Sequence, residues 1–199
     1  MVLVHLVRHG HHAEVGQVLS GRSGIALDRR GSHEAAALVG AFDGAPIAAI
    51  YSSPRRRALE TADPIAAARG LEVQAALALD EIDFGAFTGR RFDELDRDPD
   101  WHRWNSQRNT ARCPAGETMA EAMSRSATFL LGLGAQGQAA LCVSHCDIIR
   151  GLVTHFLGLP ADHLFKLDCA PASITTLSIE AGAVRLVALN APVPQRAGA

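Results

Sequence analysis

The stretch VLVHLVRHG at residues 2–10 holds the pattern that decides the fold. An apolar run ends abruptly in Arg8, His9 and Gly10, which predicts a buried strand that delivers an arginine and a histidine to its carboxyl edge. Ligands of open α/β sheets bind outside the carboxyl ends of the strands. Arginine presents a planar fork of donors that matches a phosphate, and neutral imidazole can attack phosphorus. Taken alone, the three residues also fit a surface turn after an edge strand.

Alternating elements follow this first strand. Further apolar runs predict strands, and helical spacing of apolar residues predicts helices between the earlier ones. The strands are predicted at 2–7, 47–51, 139–144, 174–179 and 184–189, and the helices at 31–42, 54–69, 118–133 and 147–157. The last two strands read as a hairpin. We therefore expect an α/β fold, a three-layer αβα sandwich whose sheet is mainly parallel with an antiparallel edge.

Local signals refine three of the helices. Pro54 is expected at the first helical position of 54–69, and Pro64 is expected to kink or split that helix. Thr118 lies near the expected N-cap of the next helix, and Asp147 is interpreted as the cap of the last one.

The bulk properties limit the choice of partners. With 199 residues and 48% hydrophobic residues, the chain fits one domain over 1–190, and residues 191–199 are expected to be a flexible tail. Its formal net charge of −2 gives no reason to expect nucleic acid or an anionic membrane as a partner. No targeting or membrane-spanning segment is recognised, and no Cys-x-x-Cys spacing occurs. The expected location is the cytoplasm, with reduced thiols.

Residues 84–117 differ from the rest of the chain. They have little strand character and contain both tryptophans, Trp101 and Trp104. We interpret them as short helices and loops inserted above the sheet edge. The alternative is a solvated loop that the two tryptophans pin to the core.

Further motifs occur in a fixed order. They are Ser20-Gly21-Arg22, then Tyr51-Ser52-Ser53-Pro54 leading into Arg57-Ala58, then Glu81-Ile82-Asp83-Phe84-Gly85, and finally Ser144-His145 at the end of a third apolar run. In this order and spacing the chain resembles the histidine phosphatase superfamily, also called the phosphoglycerate mutase-like superfamily, from about Leu3 to Asn190. The resemblance implies a phosphoglycerate mutase-like fold in which 84–117 is a cap that selects the substrate. The compact cap and short tail favour the phosphatase-like branch over the mutases.

The resemblance also implies roles for individual residues. His9 is the nucleophile that forms a phosphohistidine, Arg8 and Arg57 hold the phosphate oxygens, and His145 supplies a further donor while facing His9 across the sheet edge. Arg57 is chosen because it stands immediately before Ala58. For Arg55 and Arg56 we expect ordinary solvent exposure on a helix.

The remaining candidates have alternatives that the sequence leaves open. Ser20, beside Gly21, either binds phosphate through its hydroxyl and nearby backbone N–H groups or is a turn residue. Glu81 matches the family's general acid, and its alternative role is that of a surface carboxylate. Asp83 is the reserve acid, and Asp147 is a weaker reserve that is better explained as a helix cap.

Two positions depart from the family pattern. His12 and Val15 stand where a small hydroxyl residue and a phosphate-contacting asparagine are usual, so that His12 either replaces part of the phosphate coordination or lies on a loop. Cys146 stands where glycine is common.

The expected activity is hydrolysis of a small phosphorylated metabolite without a cofactor or metal. Nine histidines raise the possibility of a metal site, but their spacings fit no familiar metal pattern. A phosphoglycerate mutase-type phosphotransferase and a non-catalytic phosphate-binding module are the alternatives. The sequence identifies neither the substrate nor the oligomeric state.

Overall fold

The computed structural model describes residues 1–193 of the chain. Its strands are β1 (Val2–Arg8), β2 (Ala49–Ser52), β3 (Val73–Ala75), β4 (Ala140–Ser144), β5 (Ile174–Glu180) and β6 (Ala183–Ala191). Its α-helices are α1 (Arg29–Ala41), α2 (Arg56–Arg69), α3 (Phe92–Leu95), α4 (Pro99–Ser106), α5 (Met119–Ala135) and α6 (Cys146–Phe156). Short 3₁₀-helices cover Leu77–Leu79, Gly85–Phe87 and Ala161–Lys166.

One six-stranded sheet forms the middle of the molecule, in the order β3-β2-β4-β1-β5-β6. The first four strands in this order pair in parallel, whereas β5 runs antiparallel to β1 and β6 runs antiparallel to β5. The prediction of a mainly parallel sheet with an antiparallel hairpin at one edge is confirmed.

Helices cover both faces of this sheet. Successive strand residues point to opposite faces, so each strand contributes to two separate cores. Val4 and Leu6 pack in the core that includes side chains of α5 and α6, whereas Val7 packs in the core that includes side chains of α1 and α2. The predicted three-layer αβα sandwich is therefore confirmed.

The parallel register determines where the site forms. Arg8 at the end of β1 is paired with Ser144 at the end of β4, and Ser52 at the end of β2 is paired with Val143. The residue after each strand, His9, His145 or Ser53, therefore emerges at the same edge of the sheet.

Several local predictions differ from the structure. Strand β3 was not predicted, because its three residues are half-buried or exposed and form no apolar run. Helix α2 begins at Arg56 instead of Pro54, since Arg55 has an extended backbone, and the helix is not split at Pro64. Thr118 is the N-cap of α5, as predicted.

The end of the chain also differs from the prediction. The expected tail at 191–199 begins inside β6, which includes Ala191, and residues 194–199 lie outside the described residues. Within residues 1–193, no helix combines the length and the apolar character needed to cross a membrane.

Candidate active site

His9 and His145 face each other at the carboxyl edge of the sheet, as predicted, with ring centroids 5.2 Å apart. His9 is buried, and its Nδ1 lies 2.8 Å from the carbonyl oxygen of Gly10. Because a carbonyl oxygen only accepts, Nδ1 carries the hydrogen. Burial, followed by the charges of Arg57 and Arg8, holds the pKa of His9 well below its usual value. His9 is therefore neutral, and its Nε2 has a free lone pair.

Two guanidinium groups lie beside this imidazole. Arg57 is only 1% exposed and donates from Nη2 to the carbonyl of Gly21 at 2.6 Å. Arg8 donates from Nη1 to the carbonyl of Cys169 at 2.5 Å. The Nε atoms of both arginines are buried and have no hydrogen-bond partner among residues 1–193. We call Arg8, His9 and Arg57 the phosphate cradle, after the role that the sequence predicts for them.

His12 lies against the same imidazole. Its ring centroid is 5.2 Å from that of His9, the residue is buried, and its Nδ1 has no hydrogen-bond partner among the described residues. Burial and the charges of Arg57 and Arg8 lower the pKa of His12 to about 4. His12 therefore adds a neutral ring nitrogen to the surroundings of the cradle.

His145 is completely buried behind the cradle and does not line the cavity described below. Its Nδ1 accepts a hydrogen bond from Arg57 Nη2 at 3.0 Å, and its Nε2 lies 2.7 Å from Ser53 Oγ. Burial and the charge of Arg57 keep the pKa of His145 well below its usual value. The neutral ring therefore carries its hydrogen on Nε2 and donates it to Ser53, whose hydroxyl donates to Asp80 at 3.1 Å.

Glu81 supplies a carboxyl group to the cavity. The residue is buried, its Oε1 accepts from the N–H of Ile82 at 3.0 Å, and its Oε2 lies 3.8 Å from His145 Nδ1. Burial, followed by the negative charge of Asp147, raises the pKa of Glu81 to about 8. The carboxyl group is therefore mainly protonated at neutral pH and can donate a proton.

The reserve candidate, Asp83, lies elsewhere. Its side chain is 40% exposed, pairs with Arg22 at 3.1 Å and accepts from the N–H of Gly85. It does not line the cavity. Arg22 also bonds Glu117 at 3.0 Å, so Asp83 belongs to an ionic cluster whose members Arg22, Asp83 and Glu117 do not line the cavity.

Ser20 and Gly21 both line the cavity. The Ser20 hydroxyl donates to Glu14 at 2.6 Å. Gly21 has a left-handed φ of 50°, and a Cβ there would lie 2.8 Å from the Thr88 hydroxyl. Glycine is the residue that this backbone conformation favours, and the carbonyls of Gly21 and Ser23 both accept hydrogen bonds from Arg57.

Two expectations from the sequence are wrong. Asp147 does not cap α6, whose N-cap is His145; instead Asp147 pairs with the buried Arg108 at 2.8 Å. Arg55 is not simply solvent-exposed, because it is half-buried and bonds Asp80 at 2.9 Å. Arg56 is exposed, as expected, and pairs with Glu60 along the helix.

These residues border a cavity of about 400 Å³. The phosphate cradle, His12 and Glu81 line it, and the range 84–117 contributes Phe84, Phe92, Trp101, Asn105 and Arg108. Short helices do occur in this range, and both tryptophans are buried. A larger cavity of about 1330 Å³ lies beside α1 and residues 170–173, and no predicted site residue lines it.

The sequence analysis gave no role to Ser53, Asp80 or Arg150, and for Asp147 it preferred a helix cap to a reserve acid. Ser53 carried a usable signal, since it follows a strand just as His9 and His145 do. In the described part of the chain, no group of three or more His, Cys, Asp or Glu side chains is arranged to hold a metal ion.

Comparisons with known proteins match nearly the whole chain. The family model described as histidine phosphatase superfamily (branch 1) matches residues 4–192. Phosphoserine phosphatase 1 of Hydrogenobacter thermophilus is 30% identical, with 90% of this chain and 88% of that protein covered. A probable phosphoglycerate mutase of Salmonella typhi is 33% identical, with coverage of 90% and 86%.

A solved structure shows a similar fold. A crystal structure of a phosphoserine phosphatase mutant from Entamoeba histolytica in complex with phosphoserine superimposes with a TM-score of 0.85 and 28% sequence identity. The match covers 96% of this chain and 97% of that one.

Proposed function

The chain belongs to branch 1 of the histidine phosphatase superfamily, and we propose that it hydrolyses a small phosphomonoester through a phosphohistidine at His9. The observation that carries this proposal is the phosphate cradle. Two buried guanidinium Nε atoms without partners flank a neutral imidazole whose Nε2 lone pair is free. Buried unpaired donors are costly, and an anion with several acceptor oxygens satisfies them.

The proposed reaction has two steps. His9 Nε2 attacks phosphorus in line, the N–P bond forms, and the P–O bond to the alcohol breaks while Arg8 and Arg57 stabilise the charged oxygens. Glu81 gives its proton to the departing alkoxide. Water then attacks phosphorus, the N–P bond breaks and returns the lone pair to Nε2, and the Glu81 carboxylate takes a proton from that water.

Hydrolysis is favoured over phosphoryl transfer between substrates by the form of the cavity. A mutase must keep water away from its phosphohistidine. Here the cavity rim includes Phe165, whose side chain is 54% exposed, and the range 84–117 contains only short helices. A paired assay on one preparation tests this choice. Isomerisation of phosphoglycerate, primed with bisphosphoglycerate, that outruns phosphate release would move the protein to the mutase class.

The proposed chemistry needs no metal ion, because the two arginines supply the positive charge. We expect vanadate, a trigonal-bipyramidal phosphate mimic, to inhibit the enzyme and excess chelator to leave it active. Activity that is lost on chelation and restored by one divalent ion would overturn this part. All four cysteines are free thiols, which supports a cytoplasmic location.

The decisive experiment is His9→Ala, with His33→Ala as a control on an exposed histidine of α1. We expect His9→Ala to abolish turnover without loss of folding and His33→Ala to behave as the wild type. Acid-labile phosphate trapped on the wild type should be absent from His9→Ala. Normal turnover by His9→Ala would contradict the proposal, and an inactive wild type that still binds phosphate would indicate the non-catalytic module.

A further inference from the structure

Aromatic side chains form much of the cavity wall outside the phosphate cradle. Phe84 and Trp101 are buried, Phe92 is half-buried, and Phe165 stands exposed at the rim. We call these four residues the aromatic wall. Apolar walls of small-molecule sites contact the apolar body of the ligand. In a phosphomonoester, the part that meets this wall is the leaving group.

Most polar side chains that line the cavity beside the aromatic wall already form hydrogen bonds or ion pairs with other residues of the protein. Asn105 donates to the Trp101 carbonyl at 2.9 Å and accepts from Arg108 Nη2 at 2.8 Å. Arg108 also donates to Asp147 at 2.8 Å, and its guanidinium lies 4.1 Å from the centroid of the Trp104 ring. Hydroxyl groups of a sugar would meet few free partners here, so the wall disfavours a polyhydroxylated leaving group.

Arg150 is the exception. Arg150 lines the cavity and is half-buried, its Nε is buried, and its side chain makes no hydrogen bond or ion pair with any residue in 1–193. It lies four residues after Cys146, which lines the cavity from the same face of α6. A partly buried guanidinium without an anion has lost solvation and gained no partner, which makes it a ready site for a carboxylate.

Arg150 also stands close to the cradle. Arg8 and Arg150 line the same cavity. The hydrogen bond with Cys146 lowers the pKa of the Cys169 thiol most, and the charges of Arg8 and Arg150 lower it further, which agrees with this placement. An anionic group bound by Arg150 would therefore share one cavity with a phosphate in the cradle. The cavity volume of about 400 Å³ is consistent with such a ligand.

Building on the hydrolase function above, we propose that the substrate is the phosphomonoester of an apolar, aromatic-type alcohol that carries one carboxylate, and that Arg150 binds this carboxylate. The phosphate occupies the cradle, and the body of the alcohol packs on the aromatic wall. Arg150 is then a specificity-determining residue.

The test compares kcat/KM for benzyl phosphate, its 3-carboxy and 4-carboxy derivatives, and glucose 6-phosphate. A charge-assisted hydrogen bond predicts that the better carboxylated ester exceeds benzyl phosphate by about 10- to 100-fold. Glucose 6-phosphate is expected to be the poorest substrate. In Arg150→Met the ratio of kcat/KM for the carboxylated ester to kcat/KM for benzyl phosphate should fall to near one. In Arg150→Lys this ratio should lie between that value and the wild-type ratio. Arg103→Met, which alters an exposed arginine of α4 outside the cavity, should keep the wild-type ratio.

Each outcome decides a different point. If the protein hydrolyses none of the four esters, the proposed hydrolase function and this inference are both overturned. Turnover of benzyl phosphate without a preference for either carboxylated ester in the wild type overturns the inference alone, as does an unchanged ratio in Arg150→Met. Glucose 6-phosphate turned over faster than benzyl phosphate overturns the role of the aromatic wall. If Arg150→Met does not fold, the wild-type ratio and Arg150→Lys decide.

Discussion

Arg57 donates a hydrogen bond from Nη2 to Nδ1 of His145 at 3.0 Å, across 88 residues of sequence. An arginine can only donate, so this contact leaves the hydrogen of the neutral imidazole on Nε2, which donates to Ser53. The contact also holds the guanidinium beside His9. In this arrangement we expect His145 to act on a bound phosphate through the position of Arg57.

We therefore predict that Arg57→Ala and His145→Ala impair the same group, the positioned guanidinium of Arg57. Each is expected to lower kcat by about 10²–10³, the typical effect of losing one preorganised donor. The double variant should lose little more than either single variant, because both remove the same positioned guanidinium. Steady-state kinetics of all three variants test this. Losses that multiply in the double variant would show that His145 acts independently.

Glu81→Gln should discriminate between leaving groups. An alkyl alkoxide must be protonated as it departs, and general acids typically contribute about 10²–10⁴-fold to such a step. We expect a loss of this size on benzyl phosphate and a much smaller loss on nitrophenyl phosphate, whose leaving group needs no proton.

The matched control for this prediction is Asp83→Asn, since Asp83 lies outside the cavity. It should show no selective loss. A selective loss in Asp83→Asn would instead identify Asp83 as the acid, and equal losses on both substrates in Glu81→Gln would indicate a positioning role.

The pH dependence of kcat/KM should show the titration of the Glu81 carboxyl group and the effect of the neighbouring Asp147 charge on it. In the proposed mechanism Glu81 acts in its protonated form, and its pKa of about 8 predicts that kcat/KM on benzyl phosphate falls as pH rises through about 8. Asp147→Asn removes a negative charge that raises this pKa, so the alkaline limb should move to lower pH. His9 acts in its neutral form, and its lowered pKa predicts an acid limb well below pH 6.5.

Asp100→Asn is the control, because Asp100 is an exposed acid of α4 that pairs with Arg103. Its profile should match the wild type. An alkaline limb that stays in place in Asp147→Asn would show that the charge of Asp147 does not raise the pKa of Glu81.

Gly31→Ala should destabilise the fold next to the site. A Cβ at Gly31 would lie 2.0 Å from the carbonyl oxygen of His11, so α1 must move away from the loop that follows His9. Overpacking of this kind typically costs about 1–3 kcal/mol. Gly132→Ala in α5 meets nothing within 4 Å and should raise stability by about 0.5–1 kcal/mol. Denaturant unfolding measures both, and equal effects would contradict the close approach.

The sequence alone determined the layered fold, the antiparallel hairpin and the family. These follow from local patterns: apolar runs of strand length, helical spacing between them, and Arg8-His9-Gly10 at the end of a strand. It also predicted that His9 and His145 would meet, because parallel strands bring their carboxyl ends to one edge. Such inferences need only the spacing of apolar residues along the chain and the direction of its strands.

Only the tertiary structure decided the state of the site. The pair Arg108–Asp147 joins residues 39 apart, and the charge of Asp147 helps keep Glu81 protonated. Pattern analysis left Asp147 as a helix cap and Arg55 as a solvated side chain, because neither has a local signal for its partner. Hydrogen-bond partners, burial and pKa depend on which side chains packing brings within a few ångströms, and that distance is set by the whole fold.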